Sequence, residues 1–177
     1  MSDATALPAG GGGAVPLSRA AAACLSLLRI ALGWVMLWAG LDRMFGLGMA
    51  TPPERSVLSG ASATAGYLGG VSGPAAPLFT AMAGNPVVDT LFVAGMLLCG
   101  LALVLGVTTL IAGLGAAVIF GMLWLTMIPL ENNPVVDQHL FYALAGVLVA
   151  VSNPGRFLGI GAWWSRLPVV RSSRWLW

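Results

Sequence analysis

Four long apolar runs constrain the fold of this chain more than any other feature of its sequence. They cover residues 17–41, 87–107, 108–128 and 135–151. A helix needs about 20 apolar residues to cross the ~30 Å hydrocarbon core of a bilayer. The composition agrees, because 58% of the 177 residues are apolar, only 8% are charged and the mean hydropathy is +0.91. We therefore expect an all-α integral membrane protein with a four-transmembrane-helix bundle.

Helices are expected because a lipid-exposed backbone must satisfy its own polar groups, and the runs lack the alternation of a membrane β-barrel. The first run exceeds the apolar stretch of a signal peptide, so we count it as a span. The four-helix membrane domain is predicted at residues 17–154, with an outer loop at residues 45–84. Residues 1–16 contain GGGG and are predicted to be a disordered tail. In residues 155–177, tryptophans alternate with arginines, which predicts an interfacial tail on the cytoplasmic membrane surface.

The arginines predict the orientation. An even number of spans puts both termini on one side, and five of the eight basic residues would lie there: Arg19, Arg156, Arg166, Arg171 and Arg174. Arg43 and Arg55 would lie on the opposite side. Because basic residues favour the cytoplasmic face, both termini are predicted to be cytoplasmic. Arg29 lies inside the first run, where an arginine either serves function or extends its head group to water at the inner interface.

The stretch NPVVD occurs twice, beginning at Asn85 and, 48 residues later, at Asn133. Asn is a good N-cap and Pro is favoured at the first helical position, so each copy predicts the start of a helix. A second echo is Met-Leu-Trp at residues 36–38 and again at 122–124. The two echoes together predict that the bundle arose from a duplicated helical hairpin.

Polar side chains gather at the predicted outer end of the bundle. Five of the six acidic residues and the single histidine fall there: Asp42, Glu54, Asp89, Glu131, Asp137 and His139. His139 and Tyr142 share one stripe of the fourth helix, and Asp89 lies on a stripe of the second. If the stripes face each other, His139 and a carboxylate could exchange protons with a bound ring carbonyl or hydroxyl. The alternative is that the acids cap helices and His139 is hydrogen-bonded to a neighbour.

Cofactor motifs are missing from the sequence. One histidine excludes bis-histidine haem ligation within this chain, and there is no CxxCH, CxxC or metal-ligand spacing. Cys24 and Cys99 lie in apolar runs, where they are either a thiol pair or small core residues. We expect no bound metal, no haem and no nucleic-acid partner. The sequence identifies no catalytic residue.

Three segments resemble the DoxX/DoxD family of small four-helix membrane proteins: LRIALGWVMLWAGLDRMFGLG at residues 28–48, GNPVVDTLF at 84–92 and ENNPVVDQHLFYAL at 131–144. The resemblance covers about residues 17–154. It implies a bacterial plasma (inner) membrane location and, in one branch, the small subunit of a thiosulfate:quinone oxidoreductase. The family pattern falls on Gly40 and Arg43 at the end of the first helix, and on Asp137 and His139 before the fourth.

We therefore expect a quinone-linked oxidoreductase subunit that oxidises thiosulfate or a related sulfur or thiol donor, with a diffusible quinone. The candidate quinone or substrate residues are His139, Asp137, Asp89, Arg43, Tyr142 and Trp38, the last two as ring-stacking walls. The alternative is a non-catalytic accessory or assembly subunit of a respiratory or thiol-redox membrane complex. A small transporter is a third interpretation. The expected partners are membrane lipid and either a protein subunit or further copies of the chain.

Overall fold

The computed structural model describes residues 18–131, 133–152 and 157–176, and every regular element in these ranges is helical. Within these ranges, three helices are long and apolar enough to cross a membrane: α1 (Arg19–Phe45), α4 (Pro86–Leu105) and α5 (Thr109–Thr126). A shorter apolar helix, α6, covers Gln138–Ser152. The other α-helices in the described ranges are the short α2 (Ala65–Leu68), α3 (Ala76–Met82), α7 (Gly161–Trp164) and α8 (Pro168–Arg171), and 3-10 turns cover Pro53–Arg55, Val57–Ser59 and Arg174–Leu176. The chain is thus built as a multi-pass membrane protein.

Local signals in the sequence account for the ends of α1 and α4. Ser18 accepts a hydrogen bond from the Ala21 N–H at 3.2 Å and caps α1. Asn85 accepts one from the Val87 N–H at 2.9 Å and caps α4, with Pro86 as the first helical residue. Gly46 ends α1 at a φ of 67°, a left-handed conformation that glycine adopts without strain. The predicted helix start is therefore confirmed for the first NPVVD.

For the second NPVVD that prediction is wrong. The Asn133 side chain accepts hydrogen bonds from the N–H groups of Val135 and Val136, both at 2.9 Å, and these residues form a turn. The cap is Asp137, whose carboxylate accepts from the Leu140 N–H at 3.0 Å, so α6 begins only at Gln138. Aspartate caps a helix about as well as asparagine. The second NPVVD therefore contains two residues that can cap a helix, Asn133 and Asp137, and α6 starts after the second of them.

The bundle consists of two closely packed antiparallel pairs, α1 with α4 and α5 with α6, joined by contacts between α4 and α5. Glycines allow each close approach. A Cβ added at Gly100 would lie 2.5 Å from the backbone nitrogen of Leu37, and one added at Gly113 would lie 2.6 Å from the Gly146 carbonyl oxygen. Such small-residue contacts are common where membrane helices pack, since lipid gives no hydrophobic drive between them. The core between the pairs is filled by buried side chains that include Leu32, Met36, Met96, Leu103, Phe120 and Val149.

We name the two ends of the bundle by their contents. The loop end carries residues 46–85, 127–131 and 133–137, and the tail end carries the α4–α5 turn and residues 157–176. At the tail end the guanidinium of Arg29 is fully buried and donates to the carbonyls of Leu103, Val104 and Leu158. The last carbonyls of a helix lack intrahelical partners and carry the negative end of its dipole. The interpretation in which Arg29 extends to water is thus wrong, because carbonyls at the end of α4 and at Leu158 accept its hydrogen bonds.

The described part of the C-terminal segment packs against the tail end of the bundle. The Ile160 N–H donates to the Leu105 carbonyl at 3.0 Å, which attaches the C-terminal segment to the end of α4. Trp163 and Trp175 are exposed in that segment, whereas Val170 is buried. The predicted tail at residues 1–16, together with Arg156, lies outside the described residues.

Candidate ligand-binding site

Asp137 and His139 form a hydrogen-bonded pair at the loop end. The distance between Asp137 Oδ2 and His139 Nδ1 is 2.6 Å, and each side chain is 17% exposed. The other oxygen of Asp137 caps α6 through the Leu140 N–H, which fixes the carboxylate in place. With Nδ1 held by the carboxylate, Nε2 is the imidazole nitrogen left to take up or release a proton.

The surroundings of Asp137 favour its charged form. Partial burial raises the pKa of this carboxyl, but the hydrogen bond and charge of His139, with the N–H groups of Leu140 and His139, outweigh burial and leave the pKa below its ordinary value. Asp137 is therefore held as a carboxylate that fixes the orientation of His139 through Nδ1.

Two cavities lie beside this pair. The apolar cavity, of about 640 Å³, lies between α1, α4 and α5 under the loop residues, with walls that include Leu68, Phe79, Phe92, Met96, Ile119 and Leu123. The polar cavity, of about 590 Å³, lies between α2, the α5–α6 connection and the start of α6, and is lined by Ser72, Glu131, Asn133, Asp137, Gln138 and others. Each volume is in the range that holds a drug-sized ligand.

His139 lines both cavities, as do Tyr67, Thr126 and Met127. The Tyr67 hydroxyl lies 2.7 Å from Thr126 Oγ1, which in turn donates to the Leu123 carbonyl at 2.6 Å. The tyrosine can therefore donate to the threonine and join the loop to the end of α5. These four residues form the boundary between the two cavities, and we call them the junction.

The apolar cavity opens sideways from the bundle. Leu91 on α4 and Val118 on α5 line it and are 68% and 62% exposed, so they lie on its outer rim. In a membrane this rim faces lipid. A molecule dissolved in the bilayer could enter there without passing through water.

The structure brings three of the six predicted site residues to the cavities. His139 lines both, Asp137 lines the polar one, and Arg43 lines the apolar one. The ring of Phe120 contacts both Tyr142 and His139, with centroid distances of 5.0 and 6.5 Å. Tyr142 itself lines neither cavity.

Asp89 and Trp38 lie elsewhere. Asp89 Oδ1 accepts hydrogen bonds from the Thr64 N–H at 2.9 Å and the Thr64 hydroxyl at 2.6 Å, which ties the loop to the start of α4. Trp38 is 37% exposed and packs against Trp34, with ring centroids 5.9 Å apart. Neither residue lines either of the two cavities.

Tyr67, Thr64 and Thr126 are site residues that the sequence analysis missed. Their roles depend on how the loop folds back over the bundle, which no local pattern reports. One signal was present: Tyr67 is one of only two tyrosines, and it stands in a loop otherwise rich in small residues. A large side chain with a polar tip in such a loop is a candidate for an anchor.

The two cysteines differ in solvent exposure. Cys24 is exposed on α1, whereas Cys99 on α4 is half-buried, and both are free. Cys99 Sγ occupies the space beside Gly115, where an added Cβ would lie 2.6 Å from the sulfur. Within residues 18–131, 133–152 and 157–176, no three His, Cys, Asp or Glu side chains are placed to share a metal ion.

Comparison with known proteins gives no assignment: no family model, no curated protein and no solved structure matches this chain.

Proposed function

We propose that this chain is a DoxX-like membrane subunit of a quinone-linked oxidoreductase that oxidises thiosulfate or a related sulfur or thiol donor. The observation that carries the proposal is the position of His139 between the two cavities. The apolar cavity has the walls and the lateral opening that a lipid-soluble ring needs. The polar cavity has acids and amides that can hold water beside the same imidazole.

The chemistry requires protons as well as electrons. Reduction of one quinone takes two electrons and two protons, and joining two thiosulfate ions or two thiols through an S–S bond releases two electrons. His139 would donate a proton from Nε2 to the quinone oxygen while Asp137, 2.6 Å from Nδ1, stabilises the charged imidazole. The imidazole would then regain its proton from water in the polar cavity.

We also propose that α6 is a fourth span and that the bundle is a duplicated hairpin, with both termini in the cytoplasm of a bacterium and the loop end outside. The support is the pairing of α1 with α4 and of α5 with α6, each with a glycine contact. Reporter fusions at the loop end and after Leu176 test the topology. Activity of an outside-only reporter at the C-terminus would contradict it.

The function is tested by quinone reduction with the purified full-length protein in nanodiscs, with thiosulfate or a dithiol as donor. His139→Ala should lower turnover by roughly 100-fold or more, the usual contribution of general acid catalysis. Glu54→Gln is the matched control, because Glu54 is exposed in the loop and lines neither cavity. Unchanged turnover in His139→Ala, together with a stoichiometric copurifying partner, would instead support the accessory-subunit alternative.

A further inference from the structure

Arg43 has no hydrogen-bond or ion-pair partner among the described residues. It lies in the last turn of α1, is half-buried and lines the apolar cavity. Among the side chains that the structure describes, the one ion pair is that of Asp137 with His139, and no described hydrogen bond reaches the Arg43 guanidinium. The charge of Arg43 is therefore uncompensated within the described part of the chain.

The acid next to Arg43 in the sequence does not neutralise it. Asp42 is 2% exposed, and its two carboxylate oxygens accept hydrogen bonds from the N–H groups of Met49 and Ala50 at 3.2 and 3.1 Å. Those bonds hold the loop against the end of α1. The carboxylate of Asp42 is thus committed to the backbone and leaves the guanidinium of Arg43 free for a ligand.

The walls of the apolar cavity strengthen the attraction of Arg43 for an anion. Apart from Arg43 and His139, its lining residues carry no ionisable acid or base other than Tyr67. Charges attract more strongly beside apolar walls than in bulk water, because the local dielectric constant is lower. A guanidinium also presents paired N–H donors that match carboxylate and phosphate oxygens.

We infer that the apolar cavity binds a single-chain amphiphile with an acidic head group. The carboxylate or phosphate pairs with Arg43, and the apolar chain lies along Phe92 and Met96 towards the rim at Leu91 and Val118. The volume of about 640 Å³ suits one drug-sized ligand. The lateral opening supplies a route from the bilayer. This inference goes beyond the proposed function because it needs no electron transfer, and it predicts that the amphiphile and a quinone compete.

The test uses purified full-length protein in nanodiscs of zwitterionic lipid, so that no anionic lipid occupies the site. A fluorescent long-chain fatty acid is titrated at a pH that ionises its head, and the same chain with an alcohol head is titrated alongside. The native protein should bind the acid roughly 10- to 100-fold more tightly, the effect of one charge-assisted hydrogen-bonded pair. An alkyl phosphate of equal chain length distinguishes a carboxylate from a phosphate head.

Arg43→Gln should bind the acid and the alcohol about equally. Arg43→Lys, which keeps the charge, should retain part of the preference for the acid. Arg55→Gln is the matched control, since Arg55 is exposed at the same end of the bundle and lines neither cavity. Equal binding of acid and alcohol by the native protein would overturn the inference. If Arg43→Gln and Arg55→Gln lowered the preference for the acid equally, the inference would also be overturned, because the preference would then come from the general charge of the protein surface.

The two proposals fail in different ways. A neutral quinone that is bound and reduced, without any preference for the acidic amphiphile, overturns this inference and leaves the proposed function intact. Binding selective for the acid, together with no quinone turnover, overturns the proposed function alone.

Discussion

Replacing Gly100 by alanine should force α1 and α4 apart. The added Cβ would lie 2.5 Å from the Leu37 nitrogen, 2.8 Å from the Leu37 Cα and 2.9 Å from the Gly33 carbonyl oxygen. All three are backbone atoms, so no side-chain rotation relieves the contact. An ordinary contact needs at least 3.4 Å, so the helices must separate by about 1 Å.

A gap of that size forfeits a quarter to a half of the attraction between the facing atoms, and overpacking of this kind costs about 1–3 kcal/mol. For a chain of 177 residues, that loss corresponds to a fall in Tm of roughly 2–12 °C. The shift also strains the bonds from Arg29 to the last turn of α4. Thermal unfolding of the full-length protein in detergent, followed by circular dichroism, measures the change.

Gly121→Ala is the control for this experiment. Gly121 lies inside α5, and a Cβ added there meets nothing within 4 Å. Alanine should therefore stabilise the helix by about 0.4–1 kcal/mol through the lower entropy of the unfolded chain. If both variants shift Tm in the same direction by the same amount, the close approach at Gly100 does not limit the packing of α1 on α4.

Two further predictions concern the two ends of the bundle. Arg29→Met removes the hydrogen bonds to the carbonyls of Leu103, Val104 and Leu158, each worth about 1.5–3 kcal/mol with a charged donor. Because the bond to Leu158 joins α1 to the C-terminal segment, residues 157–176 should be cleaved much faster in limited proteolysis, and unchanged cleavage would contradict this role of Arg29. Because the pKa of Asp137 is lowered in the folded protein, its contribution to stability is complete above its unfolded pKa of about 3.9 and is lost as the pH falls through the lower folded value. Asp137→Asn should therefore flatten the loss of stability in acid below about pH 4, and an acid transition identical to that of the native protein would contradict the assignment.

The sequence predicts the long helices and the start of α4 because the forces there are local. At Asn85 the cap and the proline that follows it act within a single turn, and about 20 apolar residues suit a bilayer wherever they occur. The second NPVVD shows the limit of that reasoning. Asn133 and Asp137 are both good caps, so the local sequence does not decide between them. In the structure, Trp124 Nε1 donates to the Val135 carbonyl at 2.9 Å, a contact between α5 and the turn that precedes α6.

A repeated sequence motif also does not predict the same degree of burial for both copies. Met36 is fully buried in the core, whereas its counterpart Met122 is 37% exposed and lines the apolar cavity. Of the site, the sequence leaves open whether His139 acts on a ligand or is hydrogen-bonded to a neighbour, and the structure shows that it is bonded to Asp137, which also caps α6. The sequence does not predict the junction, since Tyr67 and Thr126 are 59 positions apart and meet only through the fold of the loop.

Photolabelling with an azidoquinone tests most directly whether the apolar cavity beside His139 is a quinone site. The purified protein in nanodiscs is illuminated with the azidoquinone, digested and mapped by mass spectrometry. We predict labels on cavity residues such as Phe92, Met96 and Met122, suppressed by excess unlabelled quinone. Labels confined to the lipid-facing pair Trp34 and Trp38, with no protection by quinone, would contradict the account.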